Sequence, residues 1–212
     1  RSPYSTGKLF AYWTTANYRD GYGMHASNGI LFNHESPRRG RNFVTKKISQ
    51  AVARIVRGEQ SILKLGNLSA ERDWGYAPEY VEAMWRMLQQ DRPGDYVIGT
   101  GTSYTVRAFV EFCFDVAGVE IAWSGCGAEE IGRDARTGKV RVEVDPVYYR
   151  PLEVERLRAN PSKAAASLGW TARTRAPDLA RLMIPYDLAQ DEYGHPDTVD
   201  DSAIRRRWNR FQ

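Results

Sequence analysis

A tyrosine and a lysine near the start of the chain are the first residues whose types and spacing suggest chemistry. Tyr4 and Lys8 lie in the stretch RSPYSTGKLFAYW, which we predict to be a helix because Ser2 is a good N-cap and Pro3 suits the first helical position. Residues four apart share one helix face, so the ammonium can lower the pKa of the phenol from about 10. A phenolate is a useful general base. The pair therefore indicates proton transfer, and an ordinary surface pair is the alternative.

Length and composition bound the class of protein. The chain has 212 residues, of which 42% are hydrophobic and 26% charged, typical of one large or two small globular domains. No run approaches the 18 or more apolar residues of a membrane span, and we expect no membrane partner. The two cysteines, Cys113 and Cys126, form no CxxC or Cys/His cluster, so we expect no metal site and a reducing, cytoplasmic location.

The net charge of +4 favours an anionic partner, either nucleic acid, a membrane surface or a phosphate-bearing small molecule. The basic residues fall mainly in two clusters, SPRRGRNFVTKKI and AIRRRWNRF, and a solvated basic surface would explain them equally well. Because no basic motif interleaved with aromatic residues is present, we expect no nucleic-acid partner.

Helical and strand patterns alternate along the chain, which predicts an α/β fold with some parallel sheet. The predicted helices are residues 3–19 and the segments FVTKKISQAVARIVRG, APEYVEAMWRMLQQ, TVRAFVEFCFDVAG, NPSKAAASLGW and APDLARLM. The predicted strands are SNGILFN, SILKLGN, DYVIGTG, VEIAWSG and KVRVEVD. Gly58 is the predicted end of the second helix. Beyond Pro185 the periodicity is lost, and we predict a loosely packed or disordered tail.

Two further predictions concern the core. In the helix APEYVEAMWRMLQQ, one apolar face is predicted to be buried; it consists of Val81, Met84, Trp85 and Leu88. Trp74 and Trp170 are predicted to be core residues rather than surfaces on which a ligand stacks.

Several long stretches together resemble the GDP-mannose 4,6-dehydratase family, which belongs to the extended short-chain dehydrogenase/reductase superfamily. They are RSPYSTGKLFAYW, YGMHASNGILFNHESPRRGRNFVTKKI, LGNLSAERDWGYAPEYVEAMWRMLQQ, VIGTGTSYTVRAFVEF, VDPVYYRPLEVE and NPSKAAASLGW. The YxxxK pair is shared by the whole superfamily, whereas NGILFNHESPRRG followed by FVTKKI is specific to this family. The resemblance covers about residues 1–184.

The resemblance implies a domain organisation. Such enzymes begin with a glycine-rich strand–turn–helix that holds the dinucleotide pyrophosphate, and no GxGxxG follows a strand here. We therefore expect the C-terminal part of a dehydratase. Residues 1–34 and 70–101 would complete a Rossmann-like NADP-binding domain, residues 35–69 and 102–184 would form a smaller α/β domain that binds the GDP-sugar, and residues 185–212 would form the tail.

The resemblance also implies roles for individual residues. Tyr4 would take the proton from the hydroxyl on sugar carbon 4, while Lys8 would lower the pKa of that tyrosine and hold the nicotinamide ribose of NADP. His34 and Arg39 would contact the cofactor. The residues implied for GDP-mannose are Asn33, Val44, Lys47, Arg72, Arg150 and Glu153.

Structural explanations compete with some of these roles. His34 could be a capping or solvated loop residue, Val44 could pack in the core, and Arg72 could pair with Asp73. The chain also departs from the family pattern at two positions. Lys46 stands where arginine is common, and Pro185 is expected to interrupt a helix that continues in the family.

The function implied by the resemblance is conversion of GDP-mannose to GDP-4-keto-6-deoxymannose, with loss of water and internal hydride transfer through NADP, in a homo-oligomer of two or four chains. Two alternatives stay open. Another nucleotide-sugar epimerase or reductase would share the YxxxK pair but should lack NHESPRRG followed by FVTKKI. A truncated, inactive remnant would bind GDP-sugar weakly or not at all.

Overall fold

A computed structural model describes residues 2–149 and 154–190, which form six helices and ten strands. The helices are α1 (Pro3–Tyr22), α2 (Val44–Arg57), α3 (Ala77–Leu88), α4 (Val106–Val116), α5 (Ser162–Leu168) and α6 (Ala176–Leu188). The strands are β1 (Asn28–Leu31), β2 (Asn33–Glu35), β3 (Leu63–Leu65), β4 (Glu71–Arg72), β5 (Trp74–Tyr76), β6 (Asp95–Ile98), β7 (Tyr104–Thr105), β8 (Ile121–Ser124), β9 (Ile131–Asp134) and β10 (Val140–Val144).

Strand pairing is mostly parallel in one part of the fold and mixed in the other. β1 pairs with β6 and β2 with β5, both in parallel. A four-stranded sheet has the order β3-β10-β9-β8, in which only β3 and β10 are parallel. The short strands β4 and β7 pair antiparallel. The predicted α/β class is confirmed, although β9 and the short strands β2, β4, β5 and β7 were not predicted.

Local sequence sets the ends of the first two helices. The Ser2 hydroxyl accepts a hydrogen bond from the backbone N–H of Ser5 at 3.1 Å, as its predicted capping role requires. Helix α1 then continues three residues beyond the predicted end and stops at Gly23, which has φ +65°. Gly58 ends α2 with φ +81°, a conformation that favours glycine.

The buried residues form two clusters. In the larger one, α2, α4 and α6 pack with Trp74 and the four-stranded sheet. In the smaller one, α3 and α5 pack around β6, with Tyr80 and Trp170 in contact edge to face. The exposed fractions of Trp74 and Trp170 are 0% and 2%, so both are core residues as predicted.

The buried face of α3 differs from the prediction. Val81, Trp85 and Leu88 are more than half exposed, while Tyr80 and Met87 are buried. Met84 is half-buried and packs against the smaller cluster, as predicted. The buried face therefore consists of Tyr80, Ala83, Met84 and Met87, an alternative set with helical spacing. The adjacent Glu79 is also buried, and its carboxylate accepts hydrogen bonds from the backbone N–H groups of residues 173 and 174 and from the hydroxyl of residue 174.

Helix α6 also differs from the prediction. It continues through Pro185 to Leu188, so the expected interruption is wrong. Asp187 is 3% exposed and contacts the buried Lys46 and Ser49 of α2, and these contacts hold the last turn of α6 despite the missing N–H of the proline. The tail was predicted to begin at residue 185, but residues 185–188 are helical and Asp187 is buried, so the prediction is wrong for them. The rest of the predicted tail, from residue 191 onward, lies outside the described residues. Within the ranges that the structure describes, no helix has both the length and the apolar character of a membrane span.

Candidate functional site

The Tyr4 and Lys8 side chains lie on the exposed surface of α1. Tyr4 is 74% exposed, and the Lys8 ammonium lies 5.9 Å from the centre of the Tyr4 ring. The helix therefore places the phenol and the ammonium side by side, where both can reach a ligand. An exposed tyrosine gains little from packing, so substitution at this position should affect chemistry more than folding.

A polar anchor at the start of β6 holds α1. Both carboxylate oxygens of Asp95 accept hydrogen bonds from Arg19, at 2.6 and 3.2 Å, and further bonds come from Tyr12 and Asn28, each at 3.0 Å. These donors, Arg19 above all, hold the pKa of Asp95 well below its ordinary value. Ala16 is the one buried residue of α1. The orientation of the helix within the described ranges therefore depends on this anchor.

Helix α1 also bonds to β1 directly. The Asn28 amide donates to the Tyr12 carbonyl oxygen at 3.3 Å. The strand β1 that is held in this way leads directly into Asn33 and His34 of β2.

His34 has one ring nitrogen committed to the backbone. Its Nδ1 lies 3.0 Å from the Phe32 carbonyl oxygen, and because a carbonyl can only accept, Nδ1 carries the proton. In the neutral ring Nε2 is then an acceptor suited to a hydroxyl donor. The His34 ring lies 5.2 Å from the ring of Tyr80, whose hydroxyl donates to the Asn33 carbonyl oxygen at 3.4 Å. Burial, together with nearby carboxylates, raises the pKa of Tyr80 well above its ordinary value, so it stays a donor.

A buried carboxylate fixes Arg39. Glu35 is 1% exposed, accepts a hydrogen bond from the Thr45 hydroxyl and lies 3.1 Å from Arg39 Nε. Burial raises the pKa of Glu35, an effect that Thr45 and Arg39 oppose. The guanidinium of Arg39 lies 3.5 Å from the centre of the Phe43 ring. Contacts with Glu35 and Phe43 therefore hold this cation in one orientation.

The first turn of α2 holds two of the predicted substrate residues. Val44 is half-buried and packs against the larger core, so packing accounts for at least part of its role. Lys47 is half-buried, and its ammonium lies 3.4 Å from the centre of the Tyr148 ring. A cation–π contact of this kind orients the ammonium without neutralising its charge.

Arg72 lies in β4 and makes hydrogen bonds to the main chain. Its Nη1 donates to the carbonyl oxygens of Glu71 at 2.8 Å and Glu155 at 3.5 Å. The neighbouring carboxylate of Asp73 accepts four hydrogen bonds, two from Thr100 and one each from the backbone N–H groups of residues 101 and 159. Four bonds fill the acceptor capacity of a carboxylate. The alternative that Arg72 forms an ion pair with Asp73 is therefore not supported.

Residues 154–159 run beside β4. The Glu71 N–H donates to the Glu155 carbonyl oxygen at 2.7 Å, and the Leu157 N–H donates to the Glu71 carbonyl oxygen at 3.0 Å. The Glu71 carboxylate lies 3.1 Å from Arg156 Nε. Arg150 and Glu153, predicted to bind substrate, lie outside the described residues.

The predicted residues lie on three parts of the described fold. Asn33, His34 and Arg39 follow β1, and Val44 and Lys47 follow them at the start of α2. Tyr4 and Lys8 lie on α1, and Arg72 lies on β4. Sequence reasoning missed three buried acids. Glu35 contacts Arg39 directly, whereas Asp73 and Asp187 bond to other parts of the fold. Only Asp187 carried a signal in the sequence, because it is an ionisable residue inside an otherwise apolar segment.

Solved structures share the fold of this chain. RMD from Pseudomonas aeruginosa in complex with NADPH superposes with a TM-score of 0.73 at 20% identity, over 90% of this chain and 57% of that one. UDP-glucose 4-epimerase from Thermus thermophilus in complex with NAD superposes with a TM-score of 0.68 at 23% identity, over 89% and 54%. The fold is that of the Rossmann-type short-chain dehydrogenases/reductases, a group that includes dehydratases and epimerases.

Sequence comparison identifies the family within that class. The family model of GDP-mannose 4,6 dehydratase matches residues 1–183. GDP-mannose 4,6-dehydratase of Sinorhizobium fredii is 58% identical over 189 residues, and the human GDP-mannose 4,6 dehydratase is 53% identical over 188. The chain belongs to the GDP-mannose 4,6-dehydratase family, which confirms the resemblance. It spans about half the length of these relatives, 54% and 50%, while each match covers 89% of the chain.

Proposed function

We propose that this chain supplies the proton-transfer residues and the nucleotide-sugar surface of an enzyme that converts GDP-mannose to GDP-4-keto-6-deoxymannose with loss of water. The observation that carries the proposal is the family match over residues 1–183, which includes Tyr4 and Lys8. Their side-by-side exposure on α1 supports a role at a ligand rather than in the core.

Tyr4 and Lys8 would transfer the proton of the hydroxyl group on sugar carbon 4. The Tyr4 oxygen takes the hydroxyl proton as that carbon is oxidised, and the Lys8 ammonium stabilises the phenolate that accepts it. The resulting 4-keto group acidifies the hydrogen on carbon 5, so water can leave across carbons 5 and 6. The protonated Tyr4 can then donate a hydrogen bond to the carbon 4 oxygen while the carbon 5 proton is removed, which stabilises the enolate without transferring the proton.

NADP is the cofactor that we propose, and residues present here fit it. When bound, it would supply a hydride acceptor for carbon 4 and return the same hydride to carbon 6. His34 presents an acceptor nitrogen suited to a ribose hydroxyl, and Lys8 supplies ammonium donors to the ribose hydroxyls. Arg39, which is held by Glu35 and Phe43, supplies a fixed cation for a phosphate.

The GDP moiety would lie against α2 and β4. Lys47, oriented by Tyr148, and Arg72, fixed by main-chain carbonyl groups, are cations suited to a diphosphate. Asn33 offers both a donor and an acceptor to a sugar or phosphate, and Val44 offers an apolar contact to guanine. Arg150 and Glu153 complete the proposed set from the sequence resemblance alone.

The organisation of the whole enzyme belongs to the same proposal. Residues 1–34 and 70–101 contribute to the NADP-binding domain, and residues 35–69 and 102–184 to the GDP-sugar-binding domain. The enzyme acts as a homo-oligomer in the cytoplasm, without nucleic-acid or membrane partners.

Mass spectrometry and absorbance together test the proposed reaction. The enzyme that carries this chain is incubated with GDP-mannose and a trace of NADP, and the expected product lacks one water while NADPH shows no net accumulation. UDP-glucose is the control substrate and should stay unchanged.

The alternatives give different results. An epimerase would leave the mass of a nucleotide-sugar unchanged, and a reductase would consume NADPH in proportion to product. Calorimetric binding of GDP without conversion would indicate the inactive remnant. Any of these three outcomes refutes the dehydratase proposal.

A further inference from the structure

Lys46 and Asp187 form a buried ion pair beneath the loop between β2 and α2. Their side chains are 5% and 3% exposed. The Lys46 ammonium contacts Asp187 Oδ1 and donates to the Pro37 carbonyl oxygen at 2.7 Å, while the Ser49 hydroxyl donates to Asp187 Oδ2 at 2.6 Å. The pair thus connects the last turn of α6 to the first half of α2 and to the loop.

Burying two charges to join two helices carries a large free-energy cost of desolvation. Apolar residues of similar volume often stabilise a fold as well as a buried ion pair, whereas removal of one partner is strongly destabilising. Burial lowers the pKa of Lys46 and raises that of Asp187, and in each case the partner opposes the effect. The ammonium does one thing that an apolar pair would not do, which is to hold the Pro37 carbonyl group.

A second hydrogen bond, next to the one between Lys46 and Pro37, also joins α2 to the end of β2. Thr45, the preceding residue of α2, donates to the buried carboxylate of Glu35. Two consecutive residues of α2 are therefore tied to residues 35 and 37, where the loop leaves β2. Two residues after Pro37 comes Arg39, and the residue after Lys46 is Lys47, so the two tied positions lie next to both proposed ligand-binding cations.

We propose that the Lys46–Asp187 pair is a positioning device that fixes residues 36–43 and the first turn of α2, so that Arg39 and Lys47 meet NADP and GDP-mannose in the required orientation. Lys46 acts through Pro37 and does not touch a ligand. Asp187 acts through Lys46 by keeping it charged and directed at the loop. The inference rests on the proposed function for the identity of the ligands but not for the mechanical role of the pair.

The test separates stability from positioning by removing the pair in two ways. Lys46→Met removes the donor and leaves Asp187 buried and unpaired, so both the melting temperature and the binding of ligands should suffer. The double variant Lys46→Met/Asp187→Leu removes both charges and should regain most of the melting temperature. In both variants the Pro37 carbonyl lacks its donor, and the KM for GDP-mannose should stay about tenfold above that of the parent enzyme.

Two further variants and a second readout complete the experiment. Lys46→Arg retains a charged donor and should keep the KM within about threefold of the parent value. Asp187→Asn leaves the bond from Lys46 to Pro37 in place, so it should lower the melting temperature while raising the KM less than Lys46→Met. Hydrogen exchange measured by mass spectrometry should show faster exchange of backbone amides 38–43 in both variants that lack Lys46.

The outcomes distinguish the two proposals. Parent-like KM and loop exchange in the double variant would show that the pair only stabilises the fold. If the double variant does not fold, a KM that rises equally in Lys46→Met and Asp187→Asn would overturn the inference in the same way. Absence of dehydratase activity in the parent enzyme would refute the proposed function, while the exchange experiment would still decide whether the pair positions the loop.

Discussion

The substitution Asp73→Asn should be the most destabilising isosteric change in the described part of the fold. Asp73 is fully buried, and its two oxygens each accept two hydrogen bonds at 2.7 to 3.1 Å. These bonds join the β4–β5 junction to the loop after β6 and to the backbone of Ala159. An asparagine keeps one carbonyl oxygen for two of these donors and turns its NH₂ group toward the other two. When the NH₂ group faces Thr100, the Thr100 hydroxyl can accept from it and donate to the Thr102 carbonyl oxygen, so that only the Thr100 N–H loses its acceptor.

The expected magnitude follows from the number of bonds lost. Hydrogen bonds to a charged group contribute about 1.5–3 kcal/mol each, so the loss of one should cost about 1.5–3 kcal/mol, and the remaining bonds weaken because the carboxylate charge is removed. Domains of ordinary stability unfold at about 5–15 kcal/mol, so Asp73→Asn should leave a folded protein with a much reduced reserve. Urea denaturation of the enzyme, followed by tryptophan fluorescence, measures this cost, with the adjacent buried Trp74 as a reporter.

A matched control makes the comparison specific. Asp145 is half-buried and accepts one bond from the backbone N–H of Val147 at 3.1 Å, a role in which asparagine is nearly equivalent. Its carboxylate also lies 3.6 Å from the exposed Lys64 ammonium, and a surface ion pair of this kind contributes little. Asp145→Asn should therefore cost less than about 1 kcal/mol. Equal losses for the two variants would refute the reasoning.

Three further predictions concern catalysis, binding and pH. Tyr4→Phe should lower turnover about 10²–10⁴-fold while calorimetry shows unchanged affinity for GDP, and parent-like turnover would show that Tyr4 is only a surface residue. Arg72→Ala should weaken GDP binding about ten- to a hundredfold, with Arg72→Lys in between because it keeps charge but loses the planar fork; unchanged calorimetric affinity in both would contradict the diphosphate assignment. The Arg19–Asp95 anchor holds the folded pKa of Asp95 below its ordinary value of 3.8, so its contribution to stability is present above that pH and is lost as the pH falls toward the folded pKa. Melting temperature measured from neutral to strongly acidic pH should thus fall less for Asp95→Asn than for the parent, and parallel curves would refute this.

Features of the fold that depend on contacts between neighbouring residues could be predicted from the sequence. The Ser2 cap, the glycine that ends α2 and the alternation of helices and strands all follow from contacts within a few residues, and such contacts are encoded locally. The string NHESPRRG followed by FVTKKI also indicated the family, which the match over residues 1–183 confirms. Residue types and spacing therefore sufficed to predict the α/β fold class, and the family resemblance supplied the list of candidate site residues.

The contacts that hold these elements and residues in place involve distant segments of the chain and are seen only in the tertiary structure. The apolar residues of α3 fit two possible faces, and the face that contains Tyr80 is the one that packs against Trp170 and α5. Helix α6 continues through Pro185 because Asp187 meets Lys46, which is 141 positions away in sequence. Asp73 similarly draws its partners from segments 27 to 86 residues distant. A buried charge must find whichever donors the fold brings to it, and chain separation of this size leaves no periodic trace from which the partner can be predicted.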